Sequence, residues 1–159
     1  MARVPSPMEV RVLLEDLLGR TVEVAPSAPW APMGGELGTF AIFVDDSLVV
    51  RAVGLCDLGF SAYAGAAIGL VPPAGAEQAV EDKVLPESLQ DNLYEVLNIA
   101  SALYNVDDNP HMKLYQVHHI GAAVPPEIQA LGGVLGQRLD LTVKIAGYGD
   151  GRFSLVGLG

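Results

Sequence analysis

Positive charge is scarce in this sequence. Nine Lys and Arg stand against 19 Asp and Glu in 159 residues, a formal net charge of −10. That balance argues against nucleic acids and anionic membranes as partners. Cysteine is scarcer still, and the single Cys56 excludes an internal disulfide framework. The three histidines show no zinc spacing, and adjacent His118 and His119 would point to opposite faces of a strand. No apolar run reaches the ~18 residues needed to span a bilayer. The opening Met-Ala-Arg-Val-Pro-Ser-Pro lacks the apolar core of a signal peptide. A cytoplasmic protein is the expectation. Ser-His-Asp and Cys-His arrangements and the G-x4-G-K-S/T phosphate loop are missing too. The Gly-x-Gly-x-Gly at 147–151 joins two strands instead of opening a helix, so it is no dinucleotide fingerprint. A metabolic enzyme would have little to work with.

What is present is apolar and finely punctuated. Half the residues are hydrophobic, and 18 Gly and 11 Pro divide the chain into short elements. Its length suits one domain, residues 1–159, with a real core. Ser6-Pro7 reads as a helix N-cap, Val10, Leu13, Leu14, Leu17 and Leu18 as a buried face, and Gly19 as the C-cap. A short strand, 21–24, and a Pro- and Gly-rich loop, 25–38, follow, with Trp30 as packing anchor. Residues 39–44 and 48–54 form a hairpin over a solvated turn, Asp45-Asp46-Ser47. Asp57 caps a small-residue helix that ends near Leu70, and 74–83 reads as an acidic connection. Beyond 105 come a turn at 107–110, a strand at 113–120, a short helical or looped segment from Pro125 to Leu131, and strands at 139–146 and 152–158. A faint echo links Thr21–Val24 with Leu141–Ile145, each with a hairpin in its half, and suggests a duplicated unit.

The stretch Pro86 to Asn105 organises the rest. Leu89, Leu93, Val96, Ala100, Leu103 and Tyr104 recur at the spacing of one buried helix face. Leu97 falls near that side. Pro86 fits a first-turn position, and Glu87 suits the positive end of the helix dipole. At about 100° per residue, Asp91, Glu95 and Asn98 share the opposite face, and Ala102 continues the line. An ordinary solvated face mixes charges, but this line has no Lys or Arg. Glu95 and Asn98 are therefore expected to be solvent-accessible.

The string Asp91-x3-Glu95-x2-Asn98 resembles the signature of the CheC/CheX/FliY chemotaxis phosphatases. The first helix has no matching Asn, so the single site is closest to CheX. Leu97 and Ala102 stand where the family usually has Gly, and Gly121 stands where it has Pro. The resemblance implies an α+β, CheC-like pseudo-two-fold repeat: a largely antiparallel sheet with two long helices packed on one face. It implies hydrolysis of the aspartyl phosphate on a response-regulator receiver domain of the CheY type. Glu95 and Asn98 would be catalytic, while Asp91 and Ala102 would meet the partner. No cofactor of its own is implied, because the receiver brings Mg²⁺. A homodimer is implied by analogy. Two other readings stay open: a catalytically silent docking module with the same fold, and an unrelated acidic α+β interaction domain such as a secretion-chaperone-like module.

Overall fold

The computed structural model describes residues 2–33, 35–106 and 108–159. The first helix, α1 (Pro7–Leu18), starts at a capping box. Ser6 Oγ accepts from Glu9 N at 3.2 Å, and Glu9 Oε1 accepts from Ser6 N at 3.1 Å. Gly19 ends it in the left-handed region, φ 66°, as its place at the helix end anticipates. Strand β1 (Val22–Pro26) follows, then the hairpin of β2 (Gly38–Val44) and β3 (Val50–Asp57). Asp45 holds the hairpin turn: its Oδ1 accepts from Ser47 N and Val49 N, and its Oδ2 from Arg51 Nε at 2.8 Å. Leu48 takes a positive φ, 62°, so the second strand starts later than its apolar run suggests.

Helix α2 (Leu58–Ile68) is capped by Asp57, which accepts from Phe60 N at 2.8 Å. It is buried almost all round, and Phe60 stacks on Phe153 with centroids 4.7 Å apart. The acidic connection expected next is a helix, α3 (Pro73–Asp82). Ala76 and Ala79 give it a buried side, so the two prolines that end α2 also start α3.

Helix α4 (Glu87–Ala100) is the long central helix, with Pro86 as its cap residue. It stops short of the expected Asn105. A 3-10 turn, Ser101–Tyr104, tightens the chain and drives Leu103 and Tyr104 into the core. Tyr104 Oη donates to Val53 O at 3.2 Å, deep in the sheet. The expected turn at 107–110 includes Asp107, which lies outside the described residues. Strand β4 (Lys113–His118), helix α5 (Pro126–Gly132), and strands β5 (Arg138–Ile145) and β6 (Gly149–Gly157) complete the chain. Among the described residues no helix is long and apolar enough to cross a membrane.

The six strands form one antiparallel sheet in the order β1-β5-β6-β3-β2-β4. Exchanging β1 with β4, β2 with β5 and β3 with β6 reverses that order and leaves the sheet unchanged. The halves α1-β1-β2-β3 and α4-β4-β5-β6 are therefore related by a pseudo-two-fold relation of the ladder. The hairpins correspond as the echo suggests, but the β1 echo does not. Val22 and Val24 pair with Ile145 and Val143, so the two echoing segments are ladder neighbours and not equivalents.

Side chains alternate between the two faces of the sheet. Ala41, Phe43, Ala52, Cys56, Phe153 and Leu155 face the core beneath α1, α2 and α4. Phe40, Ile42, Val53, Leu55 and Val156 face the other way. There the cover is the two long connections, Trp30 and Ala31 from one and Ile128 and Leu131 of α5 from the other. The two long helices thus share one face as expected, and short α5 is an addition on the opposite one.

Gly65 sets how closely α4 sits on α2. A Cβ there would lie 2.8 Å from Leu89 O, and Asn92 Nδ2 donates to Gly65 O at 2.9 Å. Gly65→Ala is expected to lower stability by about 1–3 kcal/mol, because backbone faces the added methyl and cannot rotate away. The midpoint of urea unfolding, against wild type, measures it.

Candidate functional site

Helix α4 divides its residues as a 3.6-residue period requires. Leu89, Leu93, Val96, Leu97 and Ala100 are buried, while Asp91, Glu95 and Asn98 are exposed in one line. Leu97 is fully buried, so its bulk goes into the core and none reaches the exposed face. Among the described residues, neither Glu95 nor Asn98 has a side-chain hydrogen bond or ion pair within the molecule. Just beyond, Ser101 Oγ donates to Asn98 O at 2.7 Å and ties down the end of the helix.

Asp91 has a neighbour that spacing could not reveal. His119, one residue past β4, feels its charge. Burial pushes the His119 imidazole below its ordinary pKa, and Asp91 opposes that shift. His119 Nδ1 is buried without a hydrogen-bond partner. The two residues are 28 positions apart in sequence, and only the packing of β4 beside α4 brings them near. His118 lies within β4, opposite Phe40, so the adjacent histidines do not form a unit. Among the described residues no three His, Cys, Asp or Glu side chains converge on a metal-sized site.

Ala102 is exposed and lies in the 3-10 turn that follows α4. The 3-10 turn carries it into a groove of about 630 Å³ between α1 and the end of α4. Ile99, Ala102 and Leu103 form one wall. Met8, Val12, Leu13 and Leu17 of α1 form the other, with Glu9 and Asp16 among them. Glu95 precedes Ile99 by one turn of α4, but neither Glu95 nor Asn98 lines this groove. The α1 half of this surface was missed from sequence. Met8 and Val12 are apolar residues on the exposed side of an otherwise well-patterned helix, and that was the available signal.

The chemistry within reach is limited. Cys56 is fully buried, and burial pushes its thiol well above the usual range, so it offers no thiolate. Asn98 can donate and accept hydrogen bonds, and Glu95 can accept them or meet a cation. Such a pair can orient a water or a partner group, but the reactive centre must come from another molecule.

No family model matches the sequence, and no curated protein matches it. Solved structures do. The middle domain of FliM from Vibrio alginolyticus superposes with a TM-score of 0.57 at 10% identity, covering 94% of this chain and 86% of that one. FliM in the FliM–SpeE complex from H. pylori gives 0.59 at 8% identity, over 95% and 80%. FliY of Thermotoga maritima gives 0.50 at 12% identity, over 92% and 81%. At these identities the likeness is one of fold. The chain has the CheC-like fold shared by FliM middle domains and FliY.

Proposed function

We propose that this protein docks a phosphorylated response-regulator receiver domain against the exposed face of α4 and accelerates hydrolysis of its aspartyl phosphate, as CheX-type phosphatases do. One observation carries the reading: Glu95 and Asn98 stand one turn apart on an open helix face, exposed and without intramolecular partners. An acyl phosphate is already reactive, and the receiver holds its own Mg²⁺. The phosphatase then has to place one water in line with phosphorus. The Asn98 carboxamide can donate to that water and accept from it at once. Positioning of this kind can supply several kcal/mol of barrier reduction. Glu95 pairs with a lysine beside the receiver's phosphorylation site and holds the helix across it. Asp91 extends the anionic edge toward basic or backbone groups on the rim. Ala102 contributes a small apolar contact at the groove end.

A second reading has its own support. The fold likeness includes a FliM middle domain and FliM in a complex with SpeE. A docking module without hydrolysis would use the same face of α4. One assay separates the two: the decay of Mg²⁺-loaded phospho-receivers, chosen from those encoded near this protein, with and without the full chain. Faster decay supports the phosphatase. Binding with unchanged decay leaves the docking module, and neither binding nor faster decay removes both.

A further inference from the structure

We propose that the groove between α1 and the end of α4 is a docking site for a basic amphipathic helix of a partner protein. Its apolar side chains are open to solvent: Met8 is 60% exposed, Val12 47% and Ile99 36%. Lone exposed apolar residues are ordinary, but these line one concavity between two helices. On α1, Met8 and Val12 form one i, i+4 ridge and Leu13 and Leu17 the next, the relief into which another helix packs. From Met8 to Leu17 this wall runs on the order of 14 Å, room for two to three turns of a partner helix. Apolar anchors at i, i+3 or i+4 and i+7 would span it.

Charge selects the occupant. Glu9 and Asp16 sit among the apolar lining, and Glu95 stands one turn before Ile99. Among the described residues no Lys or Arg lines the groove. The nearby cation of α1, Arg11, lies on the β1 side, its Nε 3.4 Å from Glu15 Oε1. Lys or Arg flanking the anchors of an incoming helix would meet the Glu9 and Asp16 carboxylates of the α1 wall. A second copy of this chain would bring Glu9 and Asp16 against their own kind, on molecules of net charge −10. Self-association through this groove is therefore disfavoured, and a homodimer would need another surface.

The test uses the full chain and a fluorescent 18-residue Leu/Lys peptide with Leu at i, i+3, i+4 and i+7. Its controls are the same peptide with Glu for Lys and one with scrambled Leu positions. Anisotropy should show binding of the first peptide only. Val12→Ser combined with Ile99→Ser should weaken it about tenfold. Both side chains are already open to solvent, so folding should be retained, as circular dichroism would verify. Asp16→Asn should weaken binding a few-fold and flatten its salt dependence. Equal binding by the Ser variant would mean that net charge alone holds the peptide, and would overturn the proposal. So would equal binding of the acidic or scrambled peptide, or no binding at all. Self-association in sedimentation that the Ser variant abolishes would assign the groove to a second copy and overturn the proposed occupant.

Discussion

Asp140→Ala is expected to destabilise the fold by about 3–5 kcal/mol, the usual result of stranding one charge of a buried pair. Arg138 and Asp140 are almost fully enclosed, with side chains 7% and 5% exposed. The guanidinium meets the carboxylate twice, Nε to Oδ2 and Nη2 to Oδ1, both at 2.8 Å. It also donates to the carbonyls of Gly132, Val134 and Trp30. Asp140 in turn accepts from Trp30 N and from Ser154 Oγ. One ion pair thus clamps both long connections to the second face of the sheet, and alanine would leave the guanidinium buried and unpaired. The urea midpoint and a fall in Tm of roughly 10 °C or more would register the loss. Arg138→Met combined with Asp140→Leu should cost less than the two single losses summed, because it strands no charge.

The same pair predicts acid sensitivity. Burial pushes the Asp140 carboxyl up, but hydrogen bonds from Arg138, Ser154 and Trp30 outweigh it and hold the pKa below the usual 3.8. A carboxyl depressed in the folded state contributes its full stability above the unfolded pKa. It loses that contribution as pH falls through the folded value. Urea midpoints of wild type should therefore drop on acidification below about pH 4. Asp140→Asn should show a shallower drop from a lower starting stability.

Asn98→Ala is expected to reduce accelerated dephosphorylation about 100-fold, with receiver binding changed little. A hydrogen-bonding group that acts mainly in the transition state costs on the order of 3 kcal/mol when removed. Asn98 is asked only to orient a water, so its loss should appear in kcat. Glu95 is asked to hold a lysine in the ground state as well. Glu95→Ala should therefore raise Kd or KM in addition to slowing turnover. Leu97 is buried beneath the helix and should leave this contrast intact. Dephosphorylation of a Mg²⁺-loaded phospho-receiver under single-turnover conditions, with binding measured separately, resolves the two effects. Equal losses in binding and turnover for both variants would remove the division of roles.

Sequence by itself determined the local partition of this protein. The exposed line Asp91, Glu95 and Asn98 and the buried set beneath it follow from the period of one helix. The start and stop of α1 follow from Ser6, Pro7 and Gly19, whose effects act within a turn. Tertiary structure decided what lies across space. Helix α3 could be read as a loop because its buried side consists only of small residues, Ala76 and Ala79, whose value depends on a neighbouring helix. The end of α4 was set by Tyr104 reaching Val53 in a strand 51 residues away. Strand exchange between the halves, β1 with β5 and β4 with β2, cannot be read from an alternating pattern, which is equally satisfied by either partner. For the same reason the groove and the Asp91–His119 approach were invisible. Period and capping specify which side of an element is apolar, but only packing determines which second element faces it.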